Sequence, residues 1–236
     1  AHPIMPLLID TRVVGESWAP YPAPPAPRFS APGDAARQLK VALATMRELG
    51  FAPRGCWPPE GSVSAAAVAA YGRQRIRWLA TDEGILAASL GRPVSGETGI
   101  GDELFRPWRL EQGGPALFFR HRGLSDFIGF QGSRFPDEAA AARELVAHIR
   151  RTARQVPADA GILIALDGEN PWTSYPDGGV RFLTALAGAL ERCDELVPAT
   201  LAERAAEEAQ RHLPRLHPGS WIGGTFATWI GHPEKN

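Results

Sequence analysis

The sequence predicts an α/β fold in which parallel strands alternate with outer helices. Segments with apolar residues at helical spacing are separated by apolar runs of only about five or six residues, which suits strands between helices. The run at 161–166 does not alternate with polar residues, as expected of a strand covered on both faces. With 236 residues, 44% hydrophobic and 22% charged, the chain is long enough for one sizeable core. We therefore expect a parallel sheet or barrel.

Six segments are predicted to be helical. The first is introduced by Asp34 as an N-cap and closed by Gly50, and the fourth begins with Pro136, a residue suited to a first helical turn. Asp82 is a predicted N-cap as well. The six segments are Ala35–Leu49, Ser62–Tyr71, Thr81 or Asp82–Leu90, Pro136–Gln155, Val180–Cys193 and Leu201–His212.

The predicted strands are short and apolar, and one segment is predicted to be a loop. Residues 18–34 hold six prolines, which remove backbone donors and favour extended geometry, so we expect a stiff surface loop there. The predicted strands are Ile76–Ala80, Ala116–Phe119, 161–166 and, more weakly, Leu196–Val197.

Charge and cysteine content argue against several classes of protein. There are 25 Lys and Arg against 26 Asp and Glu, a net charge of -1, so we predict neither a nucleic-acid nor a membrane partner. Cys56 and Cys193 are predicted free thiols, and His148 and His212 are predicted surface residues of helices without partners at metal spacing. No apolar run is long enough to span a bilayer, which favours a soluble protein. Both ends look cut, so the sequence leaves localisation open.

Carboxylates recur where the predicted strands end. They are expected to meet at one edge of the sheet, where sites assemble in α/β proteins. Tryptophans interleave with them, and aromatic faces together with carboxylates suit a sugar. A glycosidase needs two such acids, one ionised and one held protonated, and their separation distinguishes retention from inversion of configuration. The carboxylates are Glu60, Asp82, Glu83, Asp126, Asp167 and Glu169, and the aromatic residues are Trp57, Trp108, Trp172, Tyr175 and Trp221.

Several motifs, in order along the chain, resemble the signature regions of glycoside hydrolase family 57. The similarity is to the amylopullulanase and α-amylase branch rather than to the branching enzymes. A segment near the start, His2-Pro3-Ile4-Met5-Pro6-Leu7, is similar to the tail of an earlier region. The motifs are Gly55-Cys56-Trp57-Pro58-Pro59-Glu60-Gly61-Ser62-Val63-Ser64, residues Arg120 to Phe130, Leu166-Asp167-Gly168-Glu169-Asn170-Pro171-Trp172 and Gly219-Ser220-Trp221-Ile222.

The resemblance implies an incomplete seven-stranded (β/α) barrel and a retaining enzyme acting on α-1,4 and, in some members, α-1,6 glucans. Glu60 resembles the nucleophile and Asp126 the general acid/base, without a metal or organic cofactor. A partly buried site or a nearby carboxylate is expected to hold the pKa of Asp126 up. Trp57 and Trp172 are predicted as stacking platforms or core residues. The implied substrate-binding residues are Trp57, Arg120, His121, Asp167, Glu169, Trp172 and Trp221.

The family pattern is incomplete at both ends of this sequence. The opening strand and the helical region that follows the barrel are missing, so residues 1–236 are predicted to be a single partial catalytic barrel domain. Two alternatives to an α-glucan hydrolase stay open: a 4-α-glucanotransferase with the same catalytic pair, and a non-catalytic glucan-binding module. Oligomeric state is open as well.

Overall fold

A five-stranded, mainly parallel sheet forms the centre of the protein. The structure is a computed structural model, and it describes residues 3–17, 28–94, 101–169, 171–206 and 211–230. The strand order is β1-β2-β4-β3-β5, and the pairs β1–β2, β2–β4 and β3–β5 are parallel, whereas β3 and β4 are antiparallel. The strands are β1 (Gly55–Cys56), β2 (Trp78–Asp82), β3 (Trp108–Leu110), β4 (Ala116–Arg120) and β5 (Arg211–Leu213).

Helices flank the sheet, and polar side chains cap several of them. Ser64 accepts a hydrogen bond from the Ala67 N–H, Asp82 accepts from the Gly84 N–H, and Asp137 accepts from the Ala140 N–H. The helices are α1 (Met5–Ile9), α2 (Val14–Ser17), α3 (Pro32–Glu48), α4 (Ala65–Arg73), α5 (Glu83–Leu90), α6 (Arg122–Asp126), α7 (Glu138–Ala153), α8 (Val180–Glu191) and α9 (Leu201–Arg204).

Apolar side chains cover both faces of the central strands. Leu79 and Leu117 pack with α4 and α5 in the larger core cluster, while Phe118 packs with Trp57 and Trp78 on the other face. Helices α7 and α8 form a separate cluster with the apolar residues of α6 and the turn that follows it. Burial on both faces is the pattern of strands inside a barrel, as the unalternating apolar runs predict.

The predicted fold class, an incomplete (β/α)7 barrel with outer helices, is confirmed. The predicted helices are present with ends shifted by a few residues, except for the last one. Helix α3 already begins at Pro32, inside the predicted loop, and Asp34 lies in its first turn rather than at its N-cap. Residues 18–27 of that loop, His2 and Asn170 lie outside the described residues.

Several strand and helix predictions are wrong. Residues 161–166 form no ladder; they run extended beside the end of β4, where the His121 N–H donates to the Leu163 carbonyl at 2.8 Å. Leu196–Val197 is not a strand: it lies in a loop in which Val197 is 88% exposed, without the burial that the apolar pair predicts. The helix that starts at Leu201 ends at Arg204, and His212 lies in β5, where it pairs with β3.

Candidate active site

Glu60 lies on a tight turn that follows β1. Pro58 and Pro59 fix the approach of the backbone, and the Gly61 N–H closes the turn on the Pro58 carbonyl at 2.8 Å. Glu60 adopts left-handed backbone angles (φ 56°, ψ 28°), which are uncommon for a residue with a side chain. The Thr81 hydroxyl of β2 donates to the Gly61 carbonyl at 2.6 Å. The strained turn is therefore held to the sheet by neighbouring groups.

Trp57 and Trp221 enclose this turn from two sides. The Trp57 ring lies against the Gly61 Cα, where an added Cβ would be only 2.7 Å from the ring. The Trp221 indole N–H donates to the Glu60 carboxylate at 2.8 Å and to the Asp167 carboxylate at 3.0 Å, and Asp167 also accepts from the Trp57 indole at 2.7 Å. The two indoles thus bring together Glu60 and Asp167, which lie far apart in the sequence.

Arg120 connects this group to Asp126. Its guanidinium lies over the Trp221 ring at 5.0 Å and over the Trp57 ring at 5.9 Å, within the range of a cation–π contact. It forms an ion pair with the Asp126 carboxylate at 3.1 Å. Both catalytic candidates therefore contact one cluster: Glu60 bonds to the indole of Trp221, and Asp126 pairs with the cation above that indole.

Asp82 holds Arg120 from the other side. The two residues are register partners at the carboxyl ends of β2 and β4, and their side chains pair at 2.8 Å with exposures of 0% and 2%. Asp82 also pairs with Arg122 at 2.5 Å, and the Glu83 carboxylate accepts the Arg122 N–H at 2.9 Å. A buried arginine between two carboxylates has little freedom to move, so it fixes the position of Asp126.

The Asp126 side chain stands where helical geometry changes. It is the last residue of α6, and a π-helical turn, Phe127–Gln131, follows directly. Such turns often occur at functional sites. Partial burial raises the pKa of the Asp126 carboxyl; Arg120 opposes this effect, and the negative charge of Asp82 adds to it. The direction is the one expected from the sequence.

A cleft opens over this cluster. Its wall includes Phe130, which is 55% exposed and lies with its ring 6.5 Å from that of Trp221. Exposed aromatic faces beside carboxylates are suited to stacking on a sugar ring. The cleft is lined by Trp57, Arg120, Asp126, Gly129, Phe130, Leu166, Asp167, Pro171 and Trp221.

The structure places the other predicted binding residues as follows. The His121 ring accepts the Leu124 N–H at the start of α6 and lies 6.2 Å from the Phe105 ring; burial lowers its pKa. Glu169 is exposed, and the Trp172 indole donates to the Gly168 carbonyl at 2.9 Å with its ring near Tyr175. These three residues are outside the lining of the cleft, and their binding roles stay predictions.

Two features of the site are not predicted from the sequence. Asp82 was predicted as an N-cap, which it is, but its pairing with Arg120 was not foreseen. A signal for this pairing exists in the sequence: Arg120 ends an apolar strand, and a buried arginine needs a carboxylate, which Asp82 at the end of the neighbouring strand supplies. Phe130 belongs to one of the motifs, but the motif assigns it no role. Only the fold shows that its ring is exposed in the wall of the cleft.

Cys56 is a poor nucleophile in this environment. Burial raises the pKa of its thiol to about 12, which keeps it protonated at neutral pH. Within the described ranges, no group of three or more His, Cys, Asp or Glu residues is arranged to hold a metal ion. No helix of the described part of the chain is long and apolar enough to cross a membrane.

Fold and site together define a barrel-type α/β protein that gathers carboxylates and indoles at the carboxyl ends of its strands. Residues 1–216 match the model of glycosyl hydrolase family 57, and the chain belongs to this family. No curated protein sequence matches it.

Solved structures with the same fold include three enzymes of low sequence identity. The 4-alpha-glucanotransferase from Thermococcus litoralis is 17% identical with a TM-score of 0.62, covering 80% of this chain and 28% of that enzyme. The alpha-amylase AmyC from Thermotoga maritima is 14% identical with a TM-score of 0.59, covering 80% and 48%. The GH57-type branching enzyme from Pyrococcus horikoshii is 16% identical with a TM-score of 0.63, covering 85% and 46%. The chain thus spans less than half the length of each.

Proposed function

We propose that this chain carries the catalytic carboxylates of an enzyme that cleaves α-glucosidic bonds with retention of configuration. The observation that supports it is the joint placement of Glu60 and Asp126 around the Trp221 indole and the Arg120 guanidinium. An α-glucan substrate is supported by family membership and by the activities of the structural relatives. The resemblance to the amylopullulanase and α-amylase branch stays a prediction.

The proposed reaction is a double displacement. The Glu60 carboxylate, oriented by the indole N–H, attacks the anomeric carbon while Asp126 protonates the leaving glycosidic oxygen. Asp126, now ionised, then takes a proton from a water molecule, which attacks the anomeric carbon and releases Glu60. A raised pKa suits Asp126 to the first of these steps, in which it must be protonated.

Hydrolysis and transfer share the first step and differ in the acceptor at the second. A 4-α-glucanotransferase uses a sugar hydroxyl in place of water, and one of the structural relatives is such an enzyme. Incubation with maltoheptaose separates the two activities. We expect only shorter oligomers from a hydrolase; products longer than the substrate would show transfer.

A chemical rescue experiment tests the two residue roles. Glu60→Gly and Asp126→Ala are incubated with an α-glucosyl fluoride, which needs no acid to depart, and with azide. We expect the Glu60 variant to yield the azide of inverted configuration and the Asp126 variant the azide of retained configuration, because azide replaces the nucleophile in one case and the water in the other.

The matched control is Glu191→Gln, which removes a carboxylate from an exposed position at the end of α8. Its turnover should equal that of the unmodified chain. Glu60→Gln should lose turnover and still bind malto-oligosaccharides. Full turnover in Glu60→Gln would contradict the nucleophile assignment, whereas glucan binding without turnover in the unmodified chain would favour a non-catalytic binding module.

A further inference from the structure

A second, larger cavity lies at the opposite edge of the sheet from the candidate active site. Its volume is about 920 Å³. Arg77 and Pro115, which directly precede β2 and β4, lie in its wall, whereas the candidate acids follow the strands. The five residues of β2 separate the two edges by about 17 Å. Helix α4 supplies another wall, and the rest of the lining comes from the end of β3, the turn that follows it, and Ala202, Ala205 and Ala206 in and after α9.

The charged side chains that line this cavity, among the described residues, are all positive. Four arginines line it, Arg54, Arg73, Arg77 and Arg109, and no described residue of the lining is acidic. In the described part of the chain, the first three guanidiniums have no carboxylate partner, and Arg109 donates to the Gly114 carbonyl. The whole chain has a net charge of -1, so this concentration of positive charge is local.

Backbone pairing forces two of these arginines together. The Arg77 N–H donates to the Arg54 carbonyl at 2.7 Å, directly before the register pair Gly55 and Trp78. Residues in register on parallel strands lie about 4.8 Å apart, and like charges at such positions repel. A bound anion would turn this repulsion into attraction, because guanidinium groups match the oxygen geometry of phosphate.

The rest of the lining is apolar. Val68, Ile76, Leu110 and Trp78 contribute to it, and Gln112 is the single lining side chain of the described residues with an acceptor oxygen. A sugar needs acceptors for its hydroxyl groups, and these side chains offer few. A flat, weakly polar ring suits these apolar walls better than a sugar does. The volume of the cavity, about 920 Å³, lies in the range of small-molecule sites.

From this geometry we infer that the cavity binds a nucleotide-like organic phosphate: an anionic phosphate group on the arginines and a planar ring against the apolar wall. The site is separate from the candidate active site, so its ligand would act without contact to the reacting groups.

Titration calorimetry with ADP at low ionic strength tests this inference. We expect binding that weakens as salt is added, and at least about tenfold weaker binding in the double variant Arg54→Gln/Arg77→Gln, since two charge-assisted contacts are lost. Both residues are exposed, so the variant should keep the unfolding free energy of the unmodified chain. The matched control, Arg143→Gln, removes one exposed arginine from α7, outside the lining of the cavity, and should bind ADP normally.

A second pair of variants uses shape rather than charge. Ala69→Trp, on the exposed face of α4, places a large ring at the wall of the cavity and should weaken binding, whereas Ala66→Trp on the same helix lies outside the lining and should not. The inference is overturned if ADP gives no binding, if Arg143→Gln weakens it equally, or if pyrophosphate binds as tightly as ADP. Tighter binding of a short single-stranded oligonucleotide would overturn it in favour of nucleic acid. None of these outcomes depends on catalytic activity.

Discussion

Replacing Asp82 by Asn tests how the site is held together. Asp82 is fully buried and pairs with two arginines, of which Arg120 is also buried. Removing one partner of a buried ion pair costs about 3–5 kcal/mol, because the remaining charge stays buried without compensation. Two contacts lower this cost: the Asn side-chain oxygen can still accept the Gly84 N–H, and Arg120 keeps its contact with Asp126. We therefore expect a loss of about 3 kcal/mol.

Urea unfolding followed by tryptophan fluorescence measures this loss. The control is Asp102→Asn, which removes a carboxylate paired with Arg211 at 2.9 Å where both side chains are more than a third exposed. Exposed pairs contribute at most about 1 kcal/mol. If the two variants lose the same free energy of unfolding, the assumption that burial makes the Asp82 pair important is wrong.

The same substitution should change the pH dependence of turnover. The negative charge of Asp82 helps to raise the pKa of Asp126, and its removal should lower that pKa. Because the general acid must be protonated, turnover falls as the pH rises through its pKa. The alkaline limb of the pH–rate profile should therefore move to lower pH in Asp82→Asn. An unchanged limb, or one moved to higher pH, would refute the proposed electrostatic coupling.

Three further changes test the core, the thiol and the indole contacts. Leu117→Ala, at a fully buried position of β4, should lower the free energy of unfolding by about 3–5 kcal/mol, whereas Leu183→Ala, at a position 45% exposed, should cost much less in the same urea titration. Cys56, with its pKa raised to about 12, should resist alkylation at neutral pH and react only in denaturant; rapid labelling of Cys56 itself in the folded chain, distinguished from Cys193 by peptide mass spectrometry, would contradict this. Trp57→Phe keeps an aromatic ring but removes the 2.7 Å bond to Asp167, so it should cost about 1.5 kcal/mol of unfolding free energy; an unchanged urea midpoint would argue against that bond.

The helices and central strands follow from local signals in the sequence. Ser64, Asp82 and Asp137 cap helices in the structure because their side chains satisfy backbone N–H groups within three residues. The strands β2 and β4 are apolar on both faces and so were visible as continuous runs. Helix caps and apolar runs are local features of the sequence, and they are sufficient to predict these helices and strands.

Other features depend on partners that no local pattern reveals. β3 and β5 have three residues each; β3 pairs with β4 and β5, and β5 pairs with β3, so neither short segment is predicted from its own sequence. Residues 161–166 have the apolar pattern of a strand, yet their backbone groups bond to His121, Phe105 and side chains instead of to a ladder. The apolar pattern alone therefore predicts a strand where the structure has none.

The residues of the candidate site are predicted from local patterns, whereas most of their contacts are not. Position after a strand indicated Glu60, Asp126 and Asp167, and the motifs added Trp221. Apart from the ion pair of Arg120 and Asp126, which are six positions apart, the contacts of the site join residues far apart in the sequence, so no local pattern predicts them. Glu60 and Trp221 are 161 positions apart in the sequence, so that hydrogen bond is a property of the folded chain alone.

This separation also orders the assembly of the site during synthesis. Strands β1, β2 and β4 emerge from the ribosome before residues 219–221, so the pair of Asp82 and Arg120 can form before those residues appear. The Glu60 turn then waits for residues 219–221, which bridge to Val63 and supply the indole. A nascent chain would consequently hold Arg120, the ion-pair partner of Asp126, in place before the Glu60 carboxylate is oriented, and the contacts around both candidate acids would be complete only once residues 219–221 have emerged.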